Sequence, residues 1–475
     1  MLGFDDYIRH DALGLAELIR SREVSAAEVL EAALARADAV NPRINAIVRR
    51  LDDRARRAVE AGTGEGPFAG VPFLFKDLYT FEAGVPAGNG SRFWDGFVAP
   101  ADFTYVARCR AAGLASFGRT ATSEEGISVS TEPVATGPTR NPWDPERTAG
   151  GSSGGAAAAA AAGIVPMAHG SDGGGSIRIP AAQCGLFGLK PSRGRTPMGP
   201  FVGEGWAGLA CSHAITRSVR DSAAMLDATA GPEVGDPYAA PLPLRPFAQE
   251  VGADPGRLRV ALHLTGLDGV ALDPENRRAV EQAGRLLADL GHQVEEAAPE
   301  IEAEALNRAI MVIVAANAWN TAAYRSAELG REPDGTGYER ASWEIALTGR
   351  TLTAPEYASA VASFHRAGRI FGRFFERHDV LVSTTMRRPP FPLGTLRPAE
   401  TGGEEFARQC HAEMPVTHFF NMTGCPAMSV PLHWTDGGLP VGIHIGAGYG
   451  REDLLFRLAG QLEAAHPWFD RRPAL

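Results

Sequence analysis

Cysteine is scarce and scattered in this chain: Cys109, Cys184, Cys211, Cys410 and Cys425 are five in number, with no CxxC pair. The odd count and wide spacing exclude a disulfide framework and a zinc knuckle, and fit a reducing, cytoplasmic setting. The twelve histidines never form HExxH or a similar ligand pair, so nothing calls for a metal or an organic cofactor. Runs of a single charge are missing as well. With 46 Lys and Arg against 56 Asp and Glu the formal charge is -10, and no basic stretch could neutralise a phosphate backbone. Nucleic acid is therefore excluded as a direct ligand. No apolar run approaches the length of a membrane span, and Met1 to His10 is polar and acidic, so neither a membrane partner nor export is expected.

Glycine and proline are plentiful at 55 and 34, and 44% hydrophobic against 21% charged residues describes a globular, loop-rich protein. The 475 residues allow one large α/β domain or two to three smaller ones. Leu15, Leu18 and Ile19 recur at helical spacing after Asp11. Ser25 to Glu28 reads as a capping box opening a second helix, which Asn41-Pro42 is predicted to end. Gly70 to Lys76 is a short apolar strand with a lysine at its end. Residues 137–151 read as loop, Ala156 to Ala162 as a buried small-faced helix, and Gly163 to Ala168 as a strand. Residues 232–257 look like a connection. A strand at Leu258 to Leu264, a helix at Asn276 to Leu290 and a mainly helical stretch over 301–376 follow. A last α/β portion holds a strand at Ala427 to Pro431 and a helix at Asp453 to Ala465.

Two serine-bearing glycine loops carry the chemistry: Gly150-Gly151-Ser152-Ser153-Gly154-Gly155, and Gly170-Ser171-Asp172-Gly173-Gly174-Gly175-Ser176-Ile177-Arg178. Ser152 and Ser176 are 24 residues apart, so one helix and one strand between them can return both loops to the same end of a sheet. Four readings of the first loop compete. A phosphate cradle would end in Gly-Lys-Ser/Thr, and this loop does not. A flexible linker would not run straight into a helix former. A nucleophile elbow needs an apolar strand before it, whereas Asn141 to Ala149 is polar and broken by proline. The fourth reading is a pair of serines activated by a lysine. Serine is a poor nucleophile without a base, and lysine is a base only when neutral, a state that burial behind Val71 to Phe75 favours. Spacing alone does not separate Ser152 from Ser153. His169 lies near the second loop, but the lysine route leaves it no task.

Taken together, Gly70-Val71-Pro72-Phe73-Leu74-Phe75-Lys76-Asp77, Thr139-Arg140-Asn141-Pro142, Thr148 to Gly155, Ser171 to Pro180 and Cys184-Gly185-Leu186-Phe187-Gly188-Leu189-Lys190-Pro191 resemble the amidase signature family. The N-terminal helices, Phe420 to Ala427 and Gly438 to Gly442 are similar to it too, which leaves only about 232–375 without resemblance. The resemblance implies an α/β fold, a large twisted mixed sheet covered by helices on both faces. It implies one domain over 1–475, with a signature core at about 66–220, a variable helical segment at about 232–375 and a C-terminal α/β portion over 376–475. It further implies a Ser–cisSer–Lys triad: Ser176 as nucleophile, Ser152 as bridging serine across a cis Gly151–Ser152 peptide, and Lys76 as base. The backbone N–H groups of Gly173, Gly174, Gly175 and Ser176 would form the oxyanion hole, with Gly173 standing where the family usually has a larger residue.

Ser153, Asp172 and Arg178 are read as supporting residues that brace these loops. Phe201, Trp206, Trp319, Met386 and Phe391 are candidates for the substrate channel, although such residues are more often core. Arg387-Arg388-Pro389-Pro390 reads either as a site for an anionic substrate end or as a solvated turn. The expected reaction is amide hydrolysis through a seryl acyl-enzyme, on small aryl or acyl amides or on linear or cyclic oligoamides. Ser212 to Ala223 and Gly235 to Tyr238 look like the stand-alone amidases, those that open 6-aminohexanoate cyclic dimers among them. The alternatives are a carbamate (urethane) or ester hydrolase with the same triad, a glutamine-amidotransferase subunit, and a catalytically silent binding subunit. The expected partner is a small amide or carbamate, and the expected state a monomer or homodimer.

Overall fold

The computed structural model describes residues 2–475. Among the described residues thirteen strands form three sheets. A small sheet joins β1 (Ile47–Arg50), β2 (Pro72–Lys76) and β3 (Ala115–Thr120) in the order β1-β3-β2. A two-stranded hairpin pairs β4 (Arg140–Asn141) with β5 (Asp144–Thr148). The remaining strands, β6 (Met167–Asp172), β7 (Phe187–Lys190), β8 (Cys211–Thr216), β9 (Arg259–Leu262), β10 (Gln293–Glu296), β11 (Val380–Thr384), β12 (Ala427–Trp434) and β13 (Pro440–Ala447), build the large sheet. Its order is β10-β9-β11-β13-β12-β7-β8-β6. The β10/β9 and β9/β11 pairs are parallel and all others antiparallel, which makes the sheet mixed.

Both faces of this sheet are covered, and that is why its central strands are buried almost throughout rather than on alternate residues. Along β11, Val380 and Val382 pack with helices Val219–Thr229, Pro274–Asp289 and Glu452–Ala465. Leu381 points the other way, toward helices Ala303–Glu328, Ala354–Arg377 and Thr417–Thr423. The alanine run forms the helix Gly154–Ala161, buried along its whole length. Small residues are required there: a Cβ on Gly155 would lie 2.3 Å from the Ala121 nitrogen, just beyond β3. Among the described residues no helix is long and apolar enough to cross a membrane.

The capping box at Ser25 is present, with Glu28 closing it. The helix does not stop at Asn41-Pro42, however; it runs Ala26–Ile44 and ends where Asn45 takes a left-handed conformation at φ 50°. Pro42 deletes only one ladder donor, and it does so in the last turn, where carbonyls are being released anyway. The Asn41 side chain then collects the free Ala46 and Ile47 N–H groups at 2.9 and 2.8 Å. Residues 137–151, expected to be loop, contain the β4/β5 hairpin. The Asn141 amide pins it to the Thr148 and Gln183 carbonyls, a tertiary tie that polar composition does not announce. The strand expected at 163–168 starts at Met167 and runs on through Asp172, so the second glycine loop is shorter than it reads in sequence.

Candidate active site

Three local structures deliver the candidate groups to one place. Strand β2 ends on Lys76, which is fully buried, and its backbone N–H donates to His169 Nδ1 of β6 at 3.3 Å. The turn before helix Gly154–Ala161 presents Ser152, and the Gly151–Ser152 peptide is cis. Glycine is required at 151, because a Cβ there would come within 2.7 Å of the Ser128 carbonyl oxygen and the Ser130 nitrogen. The turn between β6 and helix Arg178–Cys184 presents Ser176, half-buried. Lys76 Nζ lies 2.7 Å from Ser152 Oγ and 3.0 Å from Ser171 Oγ. Ser152, Ser171 and Ser176 all line one cavity of about 330 Å³. Burial pushes the Lys76 ammonium down to about 7, against the opposing pull of Asp172. Near neutral pH a substantial fraction of this lysine is therefore uncharged.

The second loop is braced from behind by an ion pair with no exposure on either side, Arg178 donating to Asp172 from Nη2 at 2.9 Å and from Nε at 3.0 Å. Burial alone would raise the Asp172 carboxyl, but the Arg178 charge and hydrogen bonds hold it well below the usual carboxylate range. Asp172 also accepts the backbone N–H of Gly175 at 2.7 Å and of Ile177 at 3.1 Å. Arg178 reaches on to the Thr417 carbonyl and Asn421 Oδ1. Ser153 Oγ donates to the Ser171 carbonyl at 3.3 Å, tying the first loop to β6. Of the four backbone donors expected to be free, Gly175 is thus taken. Those of Gly173, Gly174 and Ser176 have no acceptor among the described residues. Gly175 sits at φ 139°, and a Cβ there would meet Ile179 and Thr417 at 2.6 and 2.7 Å.

The absence of a side chain on Gly173 has a counterpart across the cavity. A Cβ there would lie 3.0 Å from the indole ring of Trp206, itself held at φ 51°. Phe201 and Trp206 line the cavity, whereas Trp319, Met386 and Phe391 do not. Trp319 packs on Trp343 at 6.3 Å under Arg350, while Met386 and Phe391 are buried in a separate apolar cluster. Arg387 is spent on Asp268 and the Ala412 and Val270 carbonyls, and Arg388 on Glu413, so neither faces the cavity. His169 is buried with burial holding its pKa well below normal, and it touches the Lys76 backbone rather than a serine hydroxyl. Sequence reasoning missed Ser171 as a partner of Lys76. It also missed Glu125 and His418 in the cavity wall. Ser171 had a signal, being in the same glycine run, but Glu125 had none.

Fold and cavity together define an enzyme: mixed α/β architecture, with a buried lysine of lowered pKa set behind serine hydroxyls that line an apolar pocket. A family model described as amidase matches residues 28–456. The chain is 41% identical to the 6-aminohexanoate-cyclic-dimer hydrolase of Paenarthrobacter ureafaciens, over 98% of this chain and 96% of the relative. It is 36% identical to an acylamidase of Rhodococcus erythropolis, over 98% and 97%. A solved structure of 6-aminohexanoate cyclic dimer hydrolase complexed with substrate superposes with a TM-score of 0.91 at 39% identity, covering 98% of this chain and 99% of that one. The chain belongs to the amidase family, hydrolases of carbon–nitrogen bonds other than peptide bonds.

Proposed function

We propose that the protein hydrolyses carboxylic amides through a seryl acyl-enzyme, with Ser176 as nucleophile, Ser152 as proton relay and Lys76 as base. The observation that carries this reading is Lys76: buried, brought down to about 7, and 2.7 Å from a serine hydroxyl in the wall of a cavity that Ser176 also lines. The Ser176 hydroxyl has no hydrogen-bond partner among the described residues, so the relay forms as it turns toward Ser152 around bound substrate. Ser176 Oγ bonds to the carbonyl carbon while its proton passes to Ser152 Oγ and the Ser152 proton passes to Lys76 Nζ. The negative oxygen that develops is met by the N–H groups of Gly173, Gly174 and Ser176, with Gly175 holding the turn through Asp172. As the C–N bond breaks, the proton returns through Ser152 to the departing nitrogen. Water repeats the cycle on the acyl ester and releases the acid.

The relatives named above favour small acyl amides and cyclic oligoamides as substrates, and a stand-alone hydrolase over an amidotransferase subunit. A fluorophosphonate or sulfonyl fluoride reagent is expected to label Ser176, as read by peptide mass mapping. Ser176→Ala and Lys76→Ala are each expected to abolish turnover of a simple nitroanilide. Full activity in either variant overturns the mechanism. Running anilides, cyclic and linear 6-aminohexanoate oligomers, aryl carbamates and glutamine in the same assay ranks the substrate classes.

A further inference from the structure

The cavity wall holds one polar group that the proposed chemistry does not use. Glu125 is 5% exposed and lines the cavity, in a short turn where its backbone is left-handed at φ 52°. Its N–H donates to the Asn89 carbonyl at 2.9 Å. One carboxyl oxygen is fixed from behind: Trp94 Nε1 donates to Oε1 at 2.6 Å and the Tyr338 hydroxyl approaches the same atom at 3.5 Å. Among the described residues nothing hydrogen-bonds Oε2. Oε2 is not sealed inside the protein but opens onto the cavity, free to accept a hydrogen bond from what binds there. The neighbours define what fits. Glu125 and the exposed Glu204 are the only ionisable carboxyls lining this cavity, and no lysine or arginine side chain lines it at all. Arg387 and Arg388, the cations that sequence offered for an anionic substrate end, point elsewhere. An anionic arm finds no cation on this wall to pair with, and a purely apolar arm gives Oε2 no partner.

We propose that Glu125 is a specificity-determining residue that binds an amine-bearing arm of the substrate, Oε2 accepting from its ammonium or amine N–H, so that substrates ending in a free amino group are selected over those ending in a carboxylate. The inference rests on the acyl-enzyme reading, and it names the class of substrate that this cavity takes. Burial lifts the Glu125 carboxyl to about 8, against the weaker opposing contact with Tyr338. A bound ammonium draws it into the ionised form, which strengthens the contact where solvent is excluded.

Two matched probe sets test this on the full chain. In the acyl arm, the 4-nitroanilide of 6-aminohexanoic acid is compared with those of heptanoic acid and of adipic acid. In the leaving-group arm, the hexanoyl amide of 4-aminomethylaniline is compared with that of 4-ethylaniline. In at least one arm the amine probe is expected to exceed its alkyl partner in kcat/KM by about ten- to a hundredfold, the adipic probe being the poorest of the acyl set. Glu125→Gln is expected to bring that ratio to within about threefold of unity. No amine preference in either arm, or an undiminished preference in the variant, overturns the proposal. Calorimetric binding of hexylamine against hexanoate to the wild-type protein requires neither turnover nor a folded variant. Tighter hexylamine binding supports the subsite even if the acyl-enzyme reading fails, and equal or weaker binding sinks it.

Discussion

If Lys76 is the base, its pKa sets the acid limb of the pH profile. Moving a lysine from an ordinary 10.5 to about 7 corresponds to roughly 5 kcal/mol of disfavoured charge, and burial among β2, β6 and the first glycine loop supplies it. With an uncharged nitroanilide, kcat/KM is expected to rise with pH and level off above about 7, standing about tenfold below its plateau at pH 6. Glu125 titrates in the same cavity at about 8, so the profile is repeated in Glu125→Gln; the limb that survives belongs to Lys76. A second readout uses stability. The folded pKa lies below the unfolded one, so the lysine's penalty is absent above about 10.5, grows as pH falls and is complete below about 7. Lys76→Met also loses the contacts to Ser152 and Ser171, but those losses do not depend on pH near neutrality. The stability difference between wild type and Lys76→Met is therefore expected to shift in favour of wild type by about 2–3 kcal/mol between pH 7 and 9. A limb centred near 10, a limb that persists in the residual activity of Lys76→Met, or a difference in melting temperature that is flat with pH refutes the assignment.

Two further perturbations probe the loop that carries Ser176. Gly173→Ala places a methyl group 3.0 Å from the Trp206 ring, and the overpacking, about 1–3 kcal/mol, falls on a backbone donor of the proposed oxyanion hole. Nitroanilide kcat/KM is expected to drop about ten- to a hundredfold, and adding Trp206→Ala to recover part of it; no recovery means that the ring is not the obstacle. Arg178→Met leaves the Asp172 carboxylate buried without its partner, which is expected to cost about 3–5 kcal/mol in denaturant unfolding, and a loss below 1 kcal/mol contradicts the bracing role.

How much of this was legible in the sequence follows from how each feature is encoded. Lys76, Ser152 and Ser176 each sit in a contiguous motif whose local structure is determined by the motif itself: an apolar strand that ends on a lysine, and glycine turns where a Cβ would strike backbone or a neighbouring side chain. The capping box at Ser25 and the buried alanine helix were readable for the same reason. The cavity wall is assembled from segments far apart in the chain, and there the reading fails. Helix Ala303–Glu328 packs apolar residues on more than one side, so its pattern does not say which face meets the cavity. Asn317, Asn320 and Thr321 do, while Trp319, a single residue away on a helix and so turned by about 100°, packs against Trp343 instead.

Charge shows the same division in sharper form. Arg119 is buried against Asp77 and Glu82, Arg178 against Asp172, and Arg195 against Glu452, so these guanidinium groups are fixed in ion pairs that hold loops together. Lys76 is as buried as any of them, yet its hydrogen-bond partners are two hydroxyls and no carboxylate. Lys190 is similarly buried and donates to the Pro191 carbonyl, but it does not reach the cavity through a serine. Burial without a carboxylate hydrogen-bond partner lowers the pKa of both lysines, and for Lys76 it reaches about 7. The proposed division of labour between the two residue types follows from partner chemistry: the scaffold pairs its buried guanidinium groups with carboxylates, and the proposed base is the buried cation whose ammonium form burial disfavours and whose hydroxyl partner opens onto the cavity.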